Sequence, residues 1–277
     1  MPRAPIESIE PYGRVVALRQ GRRVMGLLPP LMDVRCYAVD GLLIDSGLNS
    51  FRRQVLSFCQ AQRIGQAVLT HHHEDHSGNA ATLMAQDVPV LASAATCERV
   101  GRGFALAPYQ HVMWGQAPRA QPRPVETWLE TAHHRFQILP APGHCDDQIV
   151  LFEPQQGWLF TGDAFLGEFV KNFRRDEDFQ KTVESLRRLC ALSFDSLFCA
   201  HKPVPMGGQQ ALQRKLQLLL DIEGQVQALH RRGLPLRQIA AQVLGPERWL
   251  LYAFTLGDVS KYNLVRAILF GPRPRRR

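Results

Sequence analysis

Thr70-His71-His72-His73-Glu74-Asp75-His76 is the stretch on which the reading of this chain turns. Its frame is His-x-His-x-Asp-His, at positions 71, 73, 75 and 76. With 10 His and 13 Asp in 277 residues, chance yields that frame on the order of twice per million start positions, so accident is a poor account. Imidazole and carboxylate are ligands that Zn²⁺ and similar ions take. The apolar run 67–70 reads as a short buried strand that delivers His71. Residues i and i+2 at a strand end project to one side, so His71 and His73 can share one ion. Asp75 and His76 come after the chain turns and can face a second.

Working outward, four more short motifs stand at strand ends. Pro142-Gly143-His144 precedes the strand Ile149–Glu153, and Thr161-Gly162-Asp163 closes the strand Trp158–Gly162. Cys199-Ala200-His201 ends a strand at 196–200, and Asp45-Ser46-Gly47 ends one at 41–45. Further strands are expected at 14–18, 24–28, 35–39, 88–91 and 135–139, with 154–157 as a hairpin turn. Helical spacing marks 50–61, 94–100 and Phe179–Cys190, and Ser77 is the expected N-cap of a helix running to 85. Residues 101–124 break this rhythm. They are rich in Gly and Pro yet hold Phe104, Tyr109, Met113 and Trp114, as does a loop packed over a pocket or onto its own domain.

After Pro205-Met206-Gly207-Gly208 the pattern turns wholly helical. Leu212, Leu216, Leu219, Ile222, Val226 and Leu229 fall on one face, and shorter helices are expected at Leu236–Leu244, 249–255 and 260–269. The net charge of +8 sits in this last quarter: residues 205–277 hold 12 Lys and Arg against 4 Asp and Glu, while 1–204 balance. A basic module of this kind attracts nucleic acid, anionic lipid or an acidic partner. Solvated helix faces explain the charge more cheaply.

Composition narrows the class. At 45% hydrophobic and 21% charged the chain is globular rather than disordered. No apolar run approaches the roughly 20 residues of a membrane span. The start, Met1-Pro2-Arg3-Ala4-Pro5, shows no apolar signal region. Six cysteines at 36, 59, 97, 145, 190 and 199 form no Cys-x-x-Cys pair, which fits reduced thiols in a cytoplasmic protein.

In this order and spacing the five motifs resemble those of the metallo-β-lactamase superfamily, over roughly residues 14–203. The resemblance implies an α+β fold, a four-layer αβ/βα sandwich with a metal pair at one edge. It makes 1–204 the catalytic domain and 205–277 an all-helical C-terminal module. It assigns His71, His73 and His144 to one metal and Asp75, His76 and His201 to the other, with Asp163 bridging. Asp45 matches the acidic residue that orients the ligand loop from behind. The full set is most similar to glyoxalase-II-type hydrolases, which carry two metals. Classical β-lactamases change the second-metal ligands, and flavodiiron proteins place Glu where His73 stands. The segment after Asp163 does not match the persulfide dioxygenases. The basic residues that anchor glutathione in glyoxalase II have no counterpart here, and the last motif reads Ala-His-Lys where many relatives have Gly-His.

The expected chemistry follows from the ligand set. Two divalent ions, first of all Zn with Fe and Mn as alternatives, share Asp163 and acidify a water towards neutrality. The hydroxide attacks an acyl carbonyl in a thioester, ester or lactone, and Asp75 orients it or passes a proton to the leaving group. Cys145, beside His144, is a less economical nucleophile or ligand. Beyond Asp163, Phe165, Phe169 and Phe173 can line an apolar wall, and Lys171, Arg174 and Arg175 can hold an anionic group; an ordinary surface loop is the plainer account. His72, His111, His133, His134 and His230 carry no partner pattern and read as surface or core residues.

Two rival functions remain open at this level. One is a phosphodiesterase or ribonuclease, with residues 235–244 as the first helix of a winged-helix-like module; the charge-neutral catalytic region speaks against it. The other is a signalling protein whose C-terminus binds partners. His144-Cys145-Asp146-Asp147 is similar to the Gly-His-Ser-Asp-Asp region of a bacterial quorum-signal response thioesterase. Helices that cap the pocket or build a homodimer are the simpler use of the C-terminus.

Overall fold

The computed structural model describes residues 6–22, 32–170 and 172–273. The first sheet is laid down in chain order by β1 (Ile6–Tyr12), β2 (Val15–Gly21), β3 (Val34–Val39), β4 (Leu42–Ile44), β5 (Gln66–Val68), β6 (Val90–Ala92) and β7 (Arg123–Pro124). Strands β1 to β4 pair antiparallel and β4 to β7 pair parallel. Parallel neighbours need crossovers. Those crossovers hold α1 (Arg52–Ala61), α2 (Glu74–Ser77), α3 (Ala80–Met84), α4 (Ala94–Arg102) and α5 (Pro108–Met113).

The second sheet begins with β8 (Trp128–Glu130), β9 (Arg135–Pro140), β10 (Ile149–Glu153) and β11 (Trp158–Gly162). The chain then leaves it through the short β12 (Phe173–Arg174) and α6 (Phe179–Cys190), and returns as β13 (Ser196–Cys199), parallel to β11. Four elements finish as helices: α7 (Gly208–Arg231), α8 (Leu236–Leu244), α9 (Trp249–Phe254) and α10 (Lys261–Phe270). Before α10 comes β14 (Val259–Ser260), which pairs with β12.

Strand β10 shows why the layers stack. All five of its residues are buried. Ile149 and Leu151, with Phe160 of the neighbouring β11, face the other sheet and share a cluster with its Val39 and Ile44, while Val150 and Phe152 face α6 and α7. Side chains alternate sides along a strand, so a strand apolar on both faces must lie inside a layered sandwich. A third apolar cluster covers the outer side of the first sheet with α1, α3 and α4. The result is the expected order: helices, sheet, sheet, helices. The cluster outside the second sheet runs without a break from Phe179 on α6 to Ile268 on α10.

Some expectations need correction. Ser77 does not cap a helix; it ends α2, and its hydroxyl donates to the carbonyls of His72 and His73 at 2.7 and 3.0 Å. The stretch 101–124 is not a plain loop, because it contains α5 and β7. Strand β1 was masked in sequence by its charges and Pro11, which an edge strand tolerates. The strand expected at 24–28 and the basic tail at 275–277 lie outside the described residues.

Topology brings the motifs to one edge. Strands β4 and β5 are parallel, so Asp45 and His71 emerge together. Likewise β11 and β13 are parallel and release Asp163 and His201 side by side. Strand β10 is antiparallel to β11, so its beginning, where His144 stands, lies at that same edge.

Candidate metal centre and its cavity

Two groups of ligand atoms meet at this edge. His71, His73, His144 and Asp163 each offer one atom, all within 4.8 Å of one another, and so do Asp75, His76 and His201. In the first group His73 Nδ1 lies 2.9 Å from His71 Nε2 and 3.0 Å from His144 Nε2. Nitrogens about 2.0–2.1 Å from one Zn²⁺ ion are spaced similarly. In the second group His201 Nε2 lies 3.5 Å from Asp75 Oδ2, and His76 Nε2 lies 3.8 Å from it. Asp163 reaches both: Oδ2 is 3.4 Å from His144 Nε2, while Oδ1 is 3.3 Å from His76 Nε2 and 3.4 Å from His201 Nε2.

The donor set fits a metal pair on a physical test. His76 Nε2, His201 Nε2 and Asp163 Oδ1 are buried and have no hydrogen-bond partner. Orphaned buried polar atoms are rare and costly, and these three converge. A divalent ion would satisfy them together. The protonation tendencies agree. Burial pushes the His71 and His73 imidazoles well below their usual range, helped for His73 by the Arg174 guanidinium, which favours the neutral form a cation needs. Burial lowers His76 and His201 too, but Asp45, Asp163 and Asp75 outweigh it at His76, and Asp163 and Asp75 at His201, holding both well above that range. Burial would raise Asp163, yet the His201 and His76 imidazoles keep it well below the carboxylate range. Proton uptake and cation binding therefore compete at the same nitrogens, which is how metal binding couples to proton release.

The ligand rings are braced from behind. Asp45 Oδ2 accepts from His76 Nδ1 at 2.8 Å and its Oδ1 from the Thr70 amide at 2.7 Å. A carboxylate only accepts, so Nδ1 of His76 carries the hydrogen and Nε2 faces the centre. Glu177 does the same for His144 Nδ1, at 2.8 Å. Thr70 Oγ1 lies 3.1 Å from His71 Nδ1, and the Asp33 carbonyl receives His201 Nδ1. The loop is equally constrained beyond the ligands: a Cβ on Gly78 would stand 2.4 Å from the Gly47 carbonyl oxygen.

A cavity of about 480 Å³ opens onto the centre. Its wall includes His73, Asp75, His144, Asp163 and His201, and above them Tyr109, Gln110, Met113 and Trp114 from the stretch at 108–114. The aromatic-rich stretch therefore packs over a pocket. The C-terminal helices supply Lys215, Leu219, Arg248, Leu251 and Thr255. Tyr109 Oη donates to Asp258 Oδ2 at 2.7 Å, tying the two sides of the roof together.

The candidate substrate residues divide. Phe173 and Arg174 line the cavity, and Arg174 Nη1 stands 3.4 Å from His73 Nε2. Phe169 also lines it but is 71% exposed, at the mouth. Phe165 does not; it is fully buried in the core between the second sheet and α7. Arg175 is paired with Asp258 at 3.0 Å. Lys171 lies outside the described residues. Burial pushes the Cys145 thiol well above its usual pKa, which leaves it a poor nucleophile.

Sequence reasoning missed several braces. Glu177 stands 33 positions after His144 with no local signal. His72 is not partnerless: its Nδ1 pairs with Asp147 Oδ1 at 2.9 Å, and Asp147 also takes the His72 amide, Thr96 Oγ1 and Arg99 Nη1. A third grouping, His72, His73 and Cys145, borrows His73 from the main centre.

The chain belongs to the metallo-β-lactamase superfamily, whose model matches residues 31–201. Among curated proteins it is similar to the hydroxyacylglutathione hydrolase of Legionella pneumophila (strain Lens), 28% identical over 156 residues, covering 53% of each chain. It is also similar to the atrochrysone carboxyl ACP thioesterase of Aspergillus fumigatus, 26% identical over 189 residues, 67% of this chain and 54% of the relative. The chain thus spans about half the length of the curated relatives it matches. Among solved structures, a metallo-beta-lactamase from Pontibacter korlensis aligns with a TM-score of 0.60 at 19% identity, over 78% of this chain and 99% of that one. That likeness concerns the fold. Among the described residues no helix is long and apolar enough to cross a membrane.

Proposed function

We infer that this protein is a dinuclear metal-dependent hydrolase of small acyl substrates, with thioesters first and esters or lactones beside them. The carrying observation is Asp163, whose two oxygens face two separate ligand groups, one of them orphaned without a cation. The names of the curated relatives, a hydroxyacylglutathione hydrolase and an atrochrysone carboxyl ACP thioesterase, support the substrate class. His71, His73 and His144 would hold one ion and Asp75, His76 and His201 the other. Bound there, the ions would supply Lewis acidity and an acidified water. The His/Asp set accommodates Zn, Fe or Mn, and Zn is our first assignment.

The chain's own groups do the rest. Glu177 and Asp45 fix the tautomers of His144 and His76. Asp75, held below the usual carboxylate range by His76 and His201 against the effect of burial, is an anion that can orient a nucleophile or carry a proton to the leaving group. Tyr109, Met113, Trp114 and Leu251 form an apolar roof that limits water. We assign the helices after residue 204 to this roof rather than to nucleic acid.

The test is one turnover panel on metal-analysed protein. It sets acyl thioesters and lactones beside a phosphodiester and single-stranded RNA, with Asp75→Ala as control. Acyl turnover that disappears in the variant is expected. Phosphodiester cleavage with little acyl turnover would overturn the reading.

A further inference from the structure

Lys215 lines the cavity and has no part in the centre described above. It stands on α7, on the face that buries Leu212 and Leu219, and is only 6% exposed. Its ammonium donates to the Phe165 carbonyl and lies 5.6 Å from the centroid of the Phe165 ring. An ammonium has three N–H donors. Among the described residues that carbonyl is its one acceptor, and it forms no ion pair. The acidic groups whose fields reach it are the buried Cys199 thiol, Glu177, which is engaged by His144, and Asp163, which belongs to the metal centre. Burying an incompletely paired charge is expensive. Burial draws the lysine down to about 8, which leaves most of it charged at neutral pH.

The position within the cavity says what would pair with it. Phe169 and Arg248 are exposed at the mouth, whereas Lys215 sits with the buried Leu186 and Leu219. A bulky leaving half is held most easily at the open mouth, so we assign the short acyl half to the buried part. A compact ammonium is a point charge with rotatable donors, and a carboxylate is the simplest anion an acyl chain can carry at its end.

We propose that Lys215 is the anion-binding end of the substrate cavity and takes a carboxylate carried by the acyl half, so that the preferred substrates are acyl thioesters or esters ending in a carboxylate. This rests on the acyl-hydrolase reading. The probes are the glutaryl and pentanoyl thioesters of N-acetylcysteamine, alike in length and differing in a terminal carboxylate. The wild type is expected to favour the glutaryl ester. In Lys215→Met the glutaryl-to-pentanoyl ratio of kcat/KM should fall at least tenfold, chiefly through KM, and Lys215→Arg should keep part of it. A ratio that stays put overturns the proposal, including a parallel loss on both esters, since the lysine would then only support the Phe165 carbonyl. If the wild type hydrolyses neither ester, the functional reading fails on its own account. The subsite is then judged by calorimetric titration of the metal-loaded protein with glutarate. Binding at least tenfold weaker in Lys215→Met supports it; equal binding in both forms, or none, overturns it.

Discussion

Removing Glu177 should weaken one metal site and spare the other. Its carboxylate accepts from His144 Nδ1 at 2.8 Å, with the two side chains 9% and 10% exposed. A hydrogen bond to a charged group contributes about 1.5–3 kcal/mol, and about 1.4 kcal/mol is tenfold in affinity. Glu177→Ala should therefore bind the ion held by His71, His73 and His144 roughly 10- to 100-fold more weakly, the range usual for the partner behind a ligating imidazole. Glu177→Gln keeps an acceptor for Nδ1 and should lose less than about tenfold on the same reasoning. The second group is braced by Asp45 and the Asp33 carbonyl, so its affinity should move little. Competition against a chelator of known affinity, with metal analysis at each step, resolves the two equivalents. Equal weakening of both, or of neither, would refute the claim that Glu177 acts through His144.

Two further substitutions test the scaffold. Asp147→Ala leaves His72 and Arg99 without their shared carboxylate and should cost about 3 kcal/mol, read from denaturant midpoints. Despite burial, bonds and charge from His72 and Arg99 hold Asp147 far below the usual carboxylate pKa. A depressed carboxylate stabilises above its unfolded value, near 4, and loses that contribution as pH falls through the folded value. The gap between wild type and variant should then be flat at neutral pH and narrow below about pH 4. Gly78→Ala should destabilise by at least about 1–3 kcal/mol, because its Cβ would stand 2.4 Å from the Gly47 oxygen and 2.7 Å from the Asn49 nitrogen, both backbone atoms; an unchanged melting temperature would disprove the close approach.

What the sequence could disclose was local. His71, His73, Asp75 and His76 fall within six residues, so their chemistry shows as a pattern. His144, Asp163 and His201 became legible because each stands at the end of an apolar strand run. The braces did not, since Glu177, Asp147 and Asp33 meet their imidazoles only through the folded topology. Phe165 was misread because an aromatic two places past a ligand can turn either way, and here it turns to the core. Lys215 had a signal that charge obscured. Positions 212, 215, 219, 222, 226 and 229 keep a spacing of three and four, and all six are buried. A lysine inside such a register is easily counted as solvated.

The two-residue ladder between β12 and β14 joins the stretch beside the metal edge to the start of α10. It pairs Phe173 with Ser260 and Arg174 with Val259, while the side chain of Asn263 holds the Phe173 carbonyl at 3.3 Å. Arg174, which touches His73, therefore takes its backbone position from the far end of the chain. Shuffling the last helices between relatives as an interchangeable cassette would leave that strand without its mate. In this architecture the last helices and the strand that carries Arg174 can diverge only as a matched pair.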